Sequence, residues 1–363
     1  LIRFRIDGIL YEIMRIPKVV HNALVARIKI LSGLKIDEHY RPQDGRFRYT
    51  MVNQIVDVRV SIMPTFYGEK AEMRLLESAQ KPMSLEELGM LPGTAAIVDD
   101  GLRKTFGMIL VCGPTGCGKT TTLYALLNML NKPNVNIVSI EDPIEYNMRY
   151  VNQSQINPQS GITFASGLRA LLRQDPNIVL VGEVRDVETA NIAVQAALTG
   201  HLLLSSLHTN DAPTAIPRLF DLQIQPFLVA STLNLVIAQR LVRRICRTCI
   251  YSDKPDQALQ ASLREQLVQM EVPSPEALIP TMIYRGKGCA SCNGSGYRGR
   301  LGIYEVVQVT DSIRRLLVDP SFTLQALIAE VRKAGSQTMF EDGLQKVQLG
   351  ITTVDEVMRV IKE

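Results

Sequence analysis

Tryptophan is absent, and aromatic residues make up only 6% of the 363 positions, which leaves few platforms on which nucleobases could stack. A dominant charge of either sign is also lacking. Forty basic residues stand against 36 acidic ones, a formal net charge of +4, so composition gives little support for a nucleic-acid partner. No apolar run reaches the ~18 residues that a membrane-crossing helix needs. The opening stretch, Leu1 to Gly8, has no signal-peptide architecture and enters a strand pattern without an initiator Met, as expected of a chain trimmed at its N-terminus. Neither an internal repeat nor a low-complexity tract is present.

What is there suffices for two or three domains, since 46% of the residues are apolar. Gly113, Pro114, Thr115, Gly116, Cys117, Gly118, Lys119, Thr120 and Thr121 fit the phosphate-binding template G-x-x-x-x-G-K-[ST]. Glycines let several backbone N–H groups point at one phosphate chain, and the following helix adds the partial positive charge of its N-terminus. Lys119 is placed for the β- and γ-phosphates of ATP, and the Thr120 hydroxyl for Mg²⁺. The flanks agree with the template. Met108–Val111 reads as an apolar strand, and Leu123, Leu126, Leu127 and Leu130 follow at helical spacing.

Around this motif the chain reads as five stretches. Residues 1–80 form a small α+β domain: a hairpin turning at Asp7-Gly8, a helix opening at Pro17 with Val20, Ala23, Leu24, Ile28 and Leu31 on its apolar face, and strands over 46–51 and 55–62. Residues 81–92 are a linker with a short helix. Residues 93–245 hold the nucleotide-binding domain, with strands at 135–140, 178–181 and 202–207 in the βαβ pattern of a parallel sheet. Residues 246–300 hold a cysteine module, and 301–363 read mostly as helices.

Candidate chemistry gathers at strand ends. Ile178–Val181 leads to Glu183, an acid placed for the Mg²⁺ shell or a water. Glu141, Asp142 and Glu145 cluster after another strand, either where ligands meet an open α/β sheet or as acids on a helix N-terminus. His201 and His208 flank an apolar strand. Without a third ligand at suitable spacing they suit hydrogen bonding to phosphate or to the acids, with a purely structural role as the alternative. Cys246, Cys249, Cys289 and Cys292 form two C-x₂-C pairs, the pattern of a structural tetrahedral Zn²⁺ site, with the 39 residues between them looping out. Nucleotide chemistry without an export signal points to the cytosol, where cysteines serve as thiols or metal ligands rather than disulfides.

Together these blocks resemble the secretion ATPases of the type II secretion and type IV pilus assembly systems. The resemblance spans nearly the whole chain. It rests on the loop 113–121, the acidic box 140–145, the stretch 167–176 leading into Val181–Asp186, and the histidine box 200–211. Pro42–Arg46 with Asp57–Ser61 resembles the family's second N-terminal domain. The tetracysteine module followed by Gly296–Glu305 points to the secretion and pilus-extension branch, since pilus-retraction relatives usually lack those cysteines. Cys117 stands where Ser is common, and Asn177 where Asp is.

The resemblance implies a RecA-like ATPase domain behind a PAS-like α+β domain, and a homo-hexamer that binds ATP between the two. Glu183 becomes the Mg²⁺-linked acid and Glu145 the water-activating one, with His201 and His208 in the nucleotide region. Arg46 and Arg59, with Arg48 and Arg74 as further candidates, supply charge to the phosphates. It further implies inner-membrane platform proteins as partners and a place at the cytoplasmic face of the bacterial inner membrane. The family's first N-terminal domain, which docks the ATPase to its membrane partners, is expected to be missing from this stretch. The competing reading is a nucleic-acid translocase or helicase on the same fold, whose one point of support is the basic run 240–247; a solvated face or a protein-docking patch accounts for that run equally well.

Overall fold

In a computed structural model the chain divides into two compact units, Leu1–Lys81 and Pro82–Glu363. Residues 1–51, 54–77 and 83–362 are described; the first residues of the expected linker lie outside them.

In the N-terminal unit, strands β1 (Ile2–Ile6) and β2 (Ile9–Met14) pair antiparallel. Asp7 and Gly8 turn between them at φ 49° and 91°, the left-handed backbone a tight hairpin needs. β3 (Gln43–Met51), β4 (Gln54–Thr65) and β5 (Gly68–Glu77) form an antiparallel meander. Val58, Val60 and Ile62 of β4 face inward onto Val25 and Ile28 of the helix His21–Leu31. This helix opens four residues later than expected, after a 3₁₀ turn at Lys18–Val20, and Leu24 and Leu31 of its expected apolar face are exposed. Lys29 is buried instead, its ammonium bonded to the Glu38 carbonyl at 2.7 Å and to Glu69 at 2.5 Å. A paired cation thus occupies a position that hydrophobic periodicity assigns to solvent.

The C-terminal unit is built on a seven-stranded sheet. Its strands are β6 (Gly107–Cys112), β7 (Ile137–Glu141), β8 (Val151–Gln155), β9 (Ile178–Val181), β10 (Leu202–Leu207), β11 (Leu233–Ile245) and, after the short pair β12 (Ile250–Asp253) and β13 (Ile283–Gly286), β14 (Tyr297–Gln308). They lie in the order β14-β11-β6-β10-β9-β7-β8. All neighbours are parallel except β14, which returns antiparallel to β11. The strands within 93–245 pair in parallel as expected; β14, from beyond that stretch, makes the sheet mixed and puts strand at residues 301–308, ahead of the C-terminal helices. β6 and β9 read as unbroken apolar runs, and β10 is apolar but for Ser205 and Ser206, because both faces are covered. Met108 and Leu110 enter one core while Ile109 and Val111 enter the other. The stretch expected as a linker supplies Leu85, Leu88 and Met90 to that second core. Nor do the residues between the cysteine pairs loop out: Leu263 and Leu267 of the helix Gln257–Gln269 are buried in the first.

Candidate functional site

The glycine loop grows out of β6. Past Cys112 the backbone bends through Gly113, Gly116 and Gly118, at φ 146°, 82° and 93°. A Cβ on Gly113 would lie 2.5 Å from Cys117 Sγ and 2.7 Å from the Gln239 carbonyl, so only glycine fits. The helix Lys119–Leu130 starts at Gly118 without a side-chain cap, leaving its first N–H groups to an anion. Pro114, Thr115, Gly116, Thr120 and Thr121 are exposed, while Cys117 turns inward. Lys119 is half-buried and donates to the carbonyls of Gly113 (2.7 Å) and Pro114 (3.0 Å). Burial lowers its pKa, and the charge of Arg240 acts in the same direction. From behind, the amide of Gln239 on β11 ties the loop to its helix. Its Nε2 donates to the Cys117 carbonyl and its Oε1 accepts from Thr122 Oγ1, both at 2.7 Å.

Beside this loop, β10 ends at Leu207 and His208 follows. One strand further, β9 continues through Gly182 to Glu183, which puts both residues at the same carboxyl end of the sheet. Their side chains meet: His208 Nε2 lies 3.1 Å from Glu183 Oε2, and Arg185 Nη2 lies 2.5 Å from Glu183 Oε1. A histidine and a guanidinium thus fix a nearly buried carboxylate next to the loop.

The acid cluster after β7 splits by environment. No helix follows, so these acids do not decorate a helix N-terminus. Glu141 is buried and acts as an anchor: Tyr124 Oη donates to one oxygen, and Ser139 Oγ (2.5 Å) and Gln153 Nε2 (3.2 Å) to the other. Asp142 is exposed. Glu145 is half-buried, and its backbone N–H donates to Tyr124 Oη at 3.3 Å. Tyr124, on the helix that leaves the glycine loop, therefore links that loop to the Glu145 segment. Burial and the adjacent Glu141 push its hydroxyl pKa far up, which keeps it a donor.

His201 stands elsewhere. It precedes β10, its Nδ1 lies 2.9 Å from the Ala196 carbonyl, and its own carbonyl accepts from Gly107 N–H where β6 begins. The six residues of β10 separate it from His208, about 20 Å of extended chain. Within one chain, only His208 joins the site.

In the N-terminal unit, Arg46 on β3, Arg59 on β4 and Arg74 on β5 are direct cross-strand partners, all exposed. Like charges placed opposite each other oppose sheet pairing. Arg48 is different, being held by Asp57 through two hydrogen bonds of 2.7 and 3.1 Å.

The four expected cysteines do come together, with all four Sγ atoms within 4.8 Å of one another. Three edges measure 3.7 Å (Cys289–Cys292), 3.8 Å (Cys246–Cys289) and 3.9 Å (Cys249–Cys292). A tetrahedral centre with Zn–S near 2.3 Å has S···S edges of about 3.8 Å, so the set fits a metal of that kind. The backbones of Gly286 and Gly296 approach so closely that a Cβ on Gly286 would lie 2.1 Å from the Gly296 carbonyl oxygen. Against the effect of burial, two N–H groups, of Cys289 and Gly296, donate to the Cys292 Sγ and pull its pKa down, as suits a thiolate ligand. The knuckle closes the β11–β14 ribbon, since Cys246 follows β11 and its N–H bonds to the Gly296 carbonyl just ahead of β14 at 2.9 Å.

Comparison with known proteins agrees with this layout. The family model for Type II/IV secretion system protein matches residues 1–359. The chain belongs to this family. It is 47% identical over 365 residues to the Type II secretion system protein E of Dickeya dadantii, covering the whole chain and 70% of that relative. It is 44% identical to the Type IV pilus assembly ATPase PilB of Myxococcus xanthus, spanning 98% of this chain but only 62% of that protein. Among solved structures, Legionella pneumophila DotB superposes with a TM-score of 0.66 at 20% identity, covering 98% of this chain and 87% of that one. The retraction motor PilT with bound ADP does so with 0.65 at 23% identity, covering 99% and 89%. These two share the α/β fold with this family member.

Three contributors to the site carry no readable sequence signal. Gln239 precedes the basic run and Arg240 opens it, and the run is neither a solvated face nor a docking patch at Arg240 and Arg243. Arg240 is buried, and Arg243 is paired with Glu356 at 2.6 Å and stacked over Tyr297. Tyr124 sits among the leucines of a helical pattern, where a phenol is indistinguishable from a core aromatic.

Proposed function

We propose that the chain is the ATP-hydrolysing part of a secretion or pilus-extension motor. The observation that carries this is the convergence, at the carboxyl ends of β6, β10 and β9, of an uncapped helix N-terminus, Lys119 and the Glu183–His208–Arg185 cluster. In this reading the loop amides of residues 113–121 and Lys119 hold the triphosphate of ATP. The exposed Thr120 hydroxyl and the Glu183 carboxylate are the oxygen donors for Mg²⁺, which when bound neutralises phosphate charge. His208 and Arg185 fix the Glu183 carboxylate. Glu145 accepts a proton from the attacking water, and Tyr124 and Glu141 set its position.

The exposed cross-strand row of Arg46 and Arg59, with Arg74, is the charge that the PAS-like N-terminal unit brings to the phosphates once homo-hexamers close. The four cysteines hold structural Zn²⁺ within the module 246–300. In this reading its partners are inner-membrane platform proteins and its work is pilin or pseudopilin assembly at the cytoplasmic face of the membrane; kinship with a Type II secretion system protein E and a Type IV pilus assembly ATPase supports it. The translocase reading loses support, because Arg240 and Arg243 of its basic run are engaged inside the fold.

The test is steady-state ATP hydrolysis by the parent and by Lys119→Ala. Loss of turnover with an unchanged melting temperature is expected. A variant that turns over ATP at the parent rate would sink the assignment.

A further inference from the structure

Arg240 is 7% exposed, a guanidinium that cannot shed its charge. Three residues along the same strand, Arg243 has the carboxylate of Glu356 and the ring of Tyr297. Arg240 has no such partner. Among the described residues no carboxylate lies within ion-pair distance of it. Its donors reach only the neutral Oδ1 of Asn210 (3.2 Å) and the Gln239 carbonyl (3.3 Å). A buried cation without a counter-charge is costly, so its surroundings call for explanation.

Those surroundings are the back of the glycine loop. β11 pairs with β6 up to Ala238 opposite Cys112, which carries Arg240 two residues further, level with the loop itself. Its Nη1 lies 3.5 Å from where a Cβ on Gly113 would stand. Its charge is felt at Cys117 and at Lys119. Asn210 belongs to the segment that begins with His208, so the guanidinium touches both walls of the site.

We propose that Arg240 is the electrostatic backing of the glycine loop, a permanent buried cation whose missing counter-charge is the polyphosphate of the nucleotide. It acts through the loop as a positioning residue and does not touch phosphate. This rests on the reading that ATP seats its phosphates on residues 113–120. Attraction for an anion at the loop then scales with the charge of that anion and ignores the rest of the ligand. It is also less sensitive to salt than an exposed arginine would make it, because the group is shielded from counter-ions.

The experiment measures binding of ATP, ADP, inorganic tripolyphosphate and adenosine to the full chain and to Arg240→Gln, Arg240→Lys and Asn210→Asp. Arg240→Gln is expected to weaken ATP and tripolyphosphate by about tenfold, ADP by less and adenosine not at all, while Arg240→Lys keeps most of the affinity. Asn210→Asp places a carboxylate beside the intact guanidinium. It should raise the melting temperature of the ligand-free chain while weakening tripolyphosphate, and it keeps the proposal open to test if Arg240→Gln does not fold. Equal losses for adenosine and ATP, or an Asn210→Asp variant unchanged in both readouts, would overturn the proposal. Should tripolyphosphate fail to compete with ATP on the parent chain, the loop is not a phosphate site and the underlying reading falls first.

Discussion

The glycine loop and the tetracysteine knuckle both adjoin β11, the one beside its middle and the other at its end, and they are organised in opposite ways. The loop is a main-chain object. Its shape comes from glycines in left-handed backbone, from β6 beneath it and from one buried amide, Gln239, that bonds to both its carbonyl and its helix. The knuckle is a side-chain object. Four sulfurs lie within 4.8 Å of one another, with three of their separations at the edge length of a tetrahedral centre, and as thiolates they would repel one another without a cation between them. The first site can keep its form when its ligand leaves; the second has little else to hold it.

The sharpest way to break this comparison is to remove the metal. Structural zinc sites contribute on the order of 10 kcal/mol to local folding. Chelation, or Cys246→Ser with Cys249→Ser, is expected to unfold residues 246–300. Because Leu263 and Leu267 of that stretch are buried in the main core, the loss should spread into the C-terminal helices as well. Metal content, limited proteolysis and circular dichroism follow it, with nucleotide binding at the loop as the contrast. Protein purified without chelator and free of metal, yet resistant to protease across 246–300, would show that the knuckle is as self-sufficient as the loop.

A smaller effect tests the loop side. Glu183→Gln and Glu145→Gln should both spare ATP affinity, which rests on main chain and Lys119, and both lower turnover by about 10²–10⁴-fold. The two differ in their surroundings. Glu183 is gripped by His208 and Arg185, so its amide variant loses two charge-assisted contacts and should also lower the melting temperature. Glu145 is anchored by its backbone to Tyr124, and its variant should leave stability alone. Loss of ATP binding with Glu145→Gln would move that residue from catalysis to structure.

The same contrast explains what could be read from the sequence. The glycine loop and the cysteine pairs were legible as local patterns of fixed spacing, whereas Glu183 stood out only through its place after an apolar strand downstream of the loop. The strands 178–181 and 202–207 were legible because fully buried parallel strands are short apolar runs. β8 was not, because the polar Asn152, Gln153, Ser154 and Gln155 follow its one buried apolar residue, Val151, at the sheet's edge. β11 was hidden by its arginines: Arg243 is covered by Glu356 and Tyr297, more than fifty residues away, and Arg240 reaches Asn210 and the Gln239 carbonyl. His201 looked equivalent to His208 because both flank one strand, yet a strand has two ends and only one faces the loop. The helix face in the N-terminal unit was misjudged because Lys29 counts as polar until Glu69 arrives from a distant strand to pair with it.

The smallest effect concerns Glu305, a buried acid that joins the two halves of the comparison, since it lies on the strand leaving the knuckle and reaches the segment that leaves His208. Its Oε2 accepts from the Ala212 N–H at 3.3 Å. Burial raises its pKa to about 7, with Asp211 and Glu341 adding to the rise and Arg332 and the Ala212 N–H opposing it. The sign follows from the order of the two pKa values. Below about pH 4.5 the carboxyl is neutral in both folded and unfolded chains, and it costs nothing. As pH climbs towards 7 the unfolded chain ionises freely while the folded one resists, so stability falls through that window and then levels off. The full swing is about 3 kcal/mol at 1.36 kcal/mol per pKa unit. Glu305→Gln keeps a hydrogen-bond acceptor and removes the titration, so it should melt higher than the parent at pH 8 and lose that advantage at pH 4.5. A melting-temperature difference that is flat across this range would show that the acid is already solvated, and that the segment between His208 and Ala212 is not held by it.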